Sequence, residues 1–182
     1  MSSADSSPHR HLFLGTVSFA LCFCAWGLMG AFTPAFRAEL GLTATQASLL
    51  VATPVLLGSL ARIPVGLLTD RFGGRLILTA LCLISSLATL LVPFANSYGA
   101  LVGAAFLIGL AGSSFAAGIG YVSRWFPPQA QGAALGVYGM GNAGQSAAVF
   151  LGPVVAASFG RPTVFYTVAA LLLAWSAVFG FM

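Results

Sequence analysis

Arg62 is the one charged residue placed inside a long apolar stretch, the run Gln46–Thr69. An arginine near the centre of a membrane-spanning helix is unfavourable by about 2.5–3.5 kcal/mol. The carboxylates Asp5, Glu39 and Asp70 all lie outside the apolar runs, so none is offered as its partner. Anion binding fits the residue best, because a planar guanidinium presents paired N–H donors that match a small planar oxyanion. Gly58 and Gly66, four residues to either side, and Ser59, three before, share its helix face and predict open volume around it. Pro64 loosens the local backbone bonding. The plainer alternative is an arginine snorkelling to the interface. From Arg62 to Thr69 that reach is roughly 10 Å at the helical rise.

The second candidate region runs from Gly132 to Ser146. On a helical wheel Gly132, Gly136, Gly139 and Ala143 form a flat face suited to close helix packing. Gly141 and Gly144 add to this store of packing glycines. Tyr138, Asn142 and Gln145 fall on another face, and polar side chains there need a cavity or a facing helix rather than lipid. Asn142 and Gln145 are therefore candidates to line a path for a polar solute, or else to hydrogen-bond between helices. Gly109 to Ser114, followed by Phe115, is a second small-residue stretch. Cys22, Cys24 and Cys82 lie in apolar runs and read as packing residues. His9 and His11 lie before the first run. No G-x-S-x-G elbow, H-E-x-x-H helix, paired carboxylates or metal-ligand spacing appears, so neither an enzyme nor a cofactor is expected.

Elements able to hold these residues follow from composition. Of 182 residues 59% are hydrophobic and 5% charged, against about 25% charged in soluble domains. Such a chain cannot solvate a globule, which excludes a soluble enzyme, a nucleic-acid binder and a disordered segment. Six apolar runs stand out: Leu12–Phe36, Gln46–Thr69, Leu76–Phe94, Tyr98–Val122, Gln131–Ala157 and Thr163–Met182. Each has room for a spanning helix of about 20 residues, and helices satisfy their own backbone in lipid. The expected fold is an all-α membrane protein of six transmembrane helices. Residues 1–11 are expected to be a cytoplasmic tail and 12–182 the bundle. Arg10, Arg71, Arg75 and Arg124 fall on one side, Arg37 and Arg161 on the other, which places the N-terminus in the cytoplasm. No polar tail follows the sixth run, so the chain reads as cut short or as half of something larger.

The segment Gly66-Leu-Leu-Thr-Asp70-Arg71-Phe-Gly73-Gly-Arg75 resembles the loop signature G-x-x-x-D-R-x-G-x-R of the major facilitator superfamily. Here Asp70 is expected to cap a helix end and pair with Arg71 or Arg75, latching one conformation. Within that superfamily the chain resembles the nitrate/nitrite porters. The likeness rests on Arg62 in the second span, on Gly139-Met-Gly141-Asn142-Ala-Gly144-Gln145-Ser146, similar to a fifth-helix G-W-G-N-x-G-G-G signature, and on Gly112-Ser-Ser-Phe115, similar to a G-A-S-F segment. Met140 and Gln145-Ser146 depart from the family pattern. The resemblance implies one half of a major facilitator fold, built as a 3+3 inverted repeat, with the C-terminal six-helix half absent. It implies an inner or plasma membrane transporter of nitrate and nitrite, an antiporter or symporter serving nitrate assimilation, with Arg62, Asn142, Phe115 and Gln145 around the anion. The alternatives are a carrier of another small anion and a non-transporting truncated or accessory half. No apolar run contains Asp, Glu or His, so this half offers no acidic relay for protons.

Overall fold

Helices follow the apolar runs, and their ends follow capping chemistry. The computed structural model describes residues 7–181; residues 1–6 of the expected tail, and Met182, lie outside the described residues. Helix α1, Pro8–Leu40, starts with a proline, whose missing N–H is harmless there, and ends at Gly41 with φ 61°. Thr43 and Gln46 form a capping box at the start of α2, Ala44–Leu60. The ladder is interrupted at Ala61 before α3, Arg62–Phe72. Pro64 has no N–H to give the Leu60 carbonyl, which favours a break there. Helix α4, Gly74–Leu91, runs into a 3₁₀ turn, Val92–Phe94. Ser97 Oγ caps α5, Tyr98–Gly109, which passes through the 3₁₀ turn Leu110–Ser113 into α6, Ser114–Ser123. Pro128 opens α7, Pro128–Gly139, where its missing N–H is harmless, and the turn Met140–Asn142 and α8, Ala143–Phe159, follow. Helix α9, Arg161–Phe181, comes last.

These pieces make six rods: α1; α2 with α3; α4 with its turn; α5 with α6; α7 with α8; and α9. Five are long and apolar enough to cross a membrane. The fifth rod, residues 128–159, falls short of that measure because its glycines, Asn142 and Gln145 dilute it. The expected fifth span is therefore a rod by its packing rather than by its apolarity.

The first rod pairs most extensively with the fifth, the third with the sixth, and the second with the fourth. Exchanging rods one to three with four to six maps the first pair onto the last and the middle pair onto itself, as a 3+3 repeat requires. The connections agree. Gly73 (φ 89°, ψ 143°) alone joins the second rod to the third, and Gly160 (φ 82°, ψ 150°) alone joins the fifth to the sixth. Only glycine takes that conformation readily.

Two apolar clusters fill the bundle. One holds Phe32, Phe36, Leu101 and Phe165, the other Phe19, Tyr121, Tyr138 and Phe179. The outer faces stay apolar too, with Leu56, Ile63, Leu67 and Phe150 exposed, as expected where lipid is the solvent. Residues 8–11 of the expected tail are helical and belong to α1. His11 Nδ1 lies 2.6 Å from Tyr121 Oη, and its ring stacks on Trp125 at 3.5 Å. Aromatic neighbours near the end of the fourth rod thus hold a segment expected to be solvated.

Candidate functional site

The buried stripe of the second rod is Ala47, Leu50, Pro54, Gly58, Ala61, Val65 and Thr69. Arg62 sits at the edge of that stripe and is exposed. The ion pairs among the described residues are Arg124–Asp70 and Arg161–Glu39, so Arg62 has no carboxylate partner there. Its surroundings differ from the wheel-based expectation in one respect. A Cβ on Gly66 would meet nothing within 4 Å, but one on Gly58 would lie 2.9 Å from Gly109 O and 3.3 Å from Gly112 Cα. Gly58 is small so that the second rod can touch the fourth, which fills the space beside it.

Phe115 follows the break in the fourth rod and is half-buried. Its ring lies 5.4 Å from that of Phe19 and 6.0 Å from that of Tyr138. Asn142 occupies the break in the fifth rod and is exposed, and its side chain does not cap α8. Gln145 is half-buried and packs against Gly27. It shares a cavity of about 80 Å³ with Trp26 and Gly30 of α1, Pro54 and Val55 of α2, and Val149 of α8. Each of Arg62, Phe115 and Asn142 thus stands in or beside an interruption of its rod. Among the described residues no hydrogen bond or cation–ring contact joins any two of the three.

Tyr138 does not share a face with Asn142 and Gln145. It is fully buried, and its hydroxyl donates to Ser114 O at 2.8 Å, just past the break in the fourth rod. The packing face of the fifth rod is also not the expected one. It runs through Ala134, Tyr138, Gly141, Gly144, Ala148 and Gly152. A Cβ on Gly141 would lie 2.9 Å from Thr16 O, and one on Gly144 would lie 2.9 Å from Ala20 Cα. A Cβ on Gly132, Gly136 or Gly139 would meet nothing within 4 Å. A wheel shows only that glycines align, not which face meets a neighbour. The 3₁₀ turn at Met140–Asn142 also advances the helix faster than the wheel assumes.

The signature segment is hardly a loop, for Gly73 is its only non-helical residue. Asp70 pairs with neither Arg71 nor Arg75. Its carboxylate lies 3.7 Å from Arg124 Nη2, which also approaches the Asp70 carbonyl at 3.4 Å. Arg71 lies over the Phe72 ring. Arg75 donates to the Phe179 and Gly180 carbonyls, at 3.2 and 2.7 Å, closing the last turn of α9. The missing signal was distance along the chain, since Arg124 and Phe179 are 54 and 104 residues from their partners.

Comparison with known proteins identifies the family. The chain is 45% identical over 149 residues to the "Probable nitrate/nitrite antiporter NarK1" of Thermus thermophilus, covering 82% of this chain and 34% of that protein. It is 40% identical over 171 residues to the "Probable nitrate/nitrite transporter NarK2" of Mycobacterium tuberculosis, covering 92% and 43%. The "Probable nitrate transporter NarT" of Staphylococcus aureus is 32% identical over 152 residues, covering 84% and 39%. The chain therefore spans between a third and a half of the length of these relatives. Residues 14–182 match the profile of the Major Facilitator Superfamily. With six rods, paired in the manner of a 3+3 repeat, this chain is a multi-pass membrane protein that belongs to the Major Facilitator Superfamily.

Proposed function

We propose that this chain is the N-terminal half of a carrier that moves nitrate and nitrite across the cell membrane by alternating access. The observation that carries the reading is Arg62, a guanidinium on the apolar second rod with no carboxylate partner among the described residues. An anion with delocalised charge replaces the water this arginine gives up, and the paired N–H geometry suits its planar oxygens. The exposed side of the second and fifth rods, with Arg62 and Asn142, is the side that a C-terminal half would cover. Asn142 and Gln145 supply neutral amides to the path, and Phe115 forms part of its wall. The arginines gathered at the Arg75 end set the N-terminus in the cytoplasm. The names of the relatives point the same way. Exchange of one anion for the other needs no acidic relay, and the apolar runs of this half contain no Asp, Glu or His.

Counterflow of nitrate against nitrite in proteoliposomes holding the full-length carrier tests the reading. Arg62→Ala abolishes exchange. Arg62→Lys keeps the charge but loses the fork, and raises KM by roughly tenfold. Unchanged uptake and KM in Arg62→Ala would falsify the assignment.

A further inference from the structure

Among the described residues four buried side-chain atoms lack a hydrogen-bond partner: His11 Nε2, Ser85 Oγ, Trp26 Nε1 and Arg161 Nη1, the last of which is ion-paired with Glu39; other buried donors have acceptors. Trp175 Nε1 donates to Ser18 Oγ at 2.8 Å, Ser86 Oγ to Ala169 O at 2.6 Å, and Tyr138 Oη to Ser114 O. Trp26 Nε1 is buried and has none. An indole nitrogen only donates, so it cannot pair by turning round as a hydroxyl can. A buried donor without an acceptor calls for an explanation, and an absent ion is one of the few available.

The place of this donor narrows the choice. Trp26 is on α1 and shares its cavity with Gln145. The edge of the ring that carries Nε1 faces Gly112, where a Cβ would lie 3.6 Å from Nε1 and 3.8 Å from Cδ1. A side chain at position 112 would lie in ordinary contact with that edge, and glycine leaves it uncovered. Gly112 in turn touches Gly58, one helical turn before Arg62. The N–H therefore lies where the first, second and fourth rods meet, beside two of the rod interruptions. On the same ring, Phe23 packs at 5.5 Å and offers no acceptor.

We infer that the indole N–H of Trp26 is a second donor to the transported anion, reached when the ion held by Arg62 is enclosed between the first, second and fourth rods. This rests on the anion-carrier reading above. A planar oxyanion has oxygens pointing in different directions, so it can accept from a guanidinium on one side and an indole on another. A two-sided donor set of this kind favours nitrate and nitrite over a spherical halide of like charge.

The test is nitrate/nitrite counterflow in proteoliposomes with the full-length carrier, with chloride as competitor. Two replacements are made: Trp26→Phe, which keeps an aromatic ring, and benzothienylalanine at position 26, which keeps the bicyclic shape but has sulfur in place of N–H. Both are expected to raise the KM for nitrite about tenfold with kcat within twofold of the parent, and to weaken discrimination against chloride. A purely structural role would lower kcat or the amount of folded carrier with Trp26→Phe and spare the isostere. An unchanged KM with the isostere, in a carrier whose uptake still depends on Arg62, overturns the role of Trp26 alone. Uptake that ignores Arg62→Ala overturns the parent reading together with this one.

Discussion

Replacing Gly144 by alanine should drive the first and fifth rods apart. An ideal Cβ there falls 2.7 Å from the Ala20 carbonyl carbon and 2.9 Å from its Cα, with the carbonyl oxygen nearer still. Ordinary contact begins at 3.4 Å, so the rods must part by at least the 0.7 Å between 2.7 and 3.4 Å. A gap of that size forfeits about a quarter to a half of each dispersion contact along the seam. Overpacking usually costs about 1–3 kcal/mol. Here the obstacle is backbone, which cannot swing aside as a side chain can, so the upper part of that range, about 2–3 kcal/mol, is expected. At roughly 2–4 °C per kcal/mol, the melting midpoint should fall by about 4–12 °C. Thermal unfolding in detergent can be followed with a thiol-reactive fluorophore, because Cys22 and Cys82 are fully buried until the bundle opens. Gly136→Ala is the control: nothing lies within 4 Å of its Cβ position, and helix propensity favours alanine by about 1 kcal/mol. Equal losses at both positions, or none at Gly144, would refute the assignment of the packing face.

Three further substitutions probe the ends and the waist of the bundle. Arg75→Gln removes two hydrogen bonds to the end of α9 and should cost about 1–2 kcal/mol after discounting for exposure. Asp70→Asn, which breaks an exposed pair 3.7 Å long, should cost under about 1 kcal/mol; a larger loss for Asp70→Asn than for Arg75→Gln in thermal melts would contradict these roles. Tyr138→Phe keeps the aromatic stack with Phe19 at 5.0 Å but strips the Ser114 carbonyl of its donor. A midpoint lowered in line with about 1–3 kcal/mol is expected, and an unshifted one would show that the hydroxyl does not hold the fourth rod.

The six rods were legible because lipid-soluble helices must be long, apolar and bounded by residues that stop a helix. Gly41, Thr43, Ser97 and Pro127-Pro128 mark ends by local chemistry, and each does so in the structure. Arg62 was legible because its charge has no place in an apolar run. The neighbours were harder to read. Gly58 was assigned to open space because its partner, Gly109, lies 51 residues on and carries no mark in the sequence. Asp70 was paired locally, but its helix neighbour Arg71 faces elsewhere, and the backbone turn at Gly73 carries Arg75 away and leaves Arg124 at hand. Tyr138 went to the wrong face because a polar side chain in an apolar helix was read as seeking a cavity, when a carbonyl beside a helix interruption sufficed. Trp26 carries no signal in the sequence, since an indole on an apolar helix looks like any other core residue.

The single-residue corners at Gly73 and Gly160 leave no slack. The second and third rods, and likewise the fifth and sixth, are coupled struts: neither member can slide or turn far without carrying the other. Slack remains in the longer joints at 41–43, 95–97 and 124–127, and in the interrupted middles of the second, fourth and fifth rods. A load applied at the level of Arg62 is therefore delivered undivided to the third rod, and through Arg75 to the end of α9. The bundle responds as two stiff levers hung on the first and fourth rods, each flexing at mid-height and rigid at its corner.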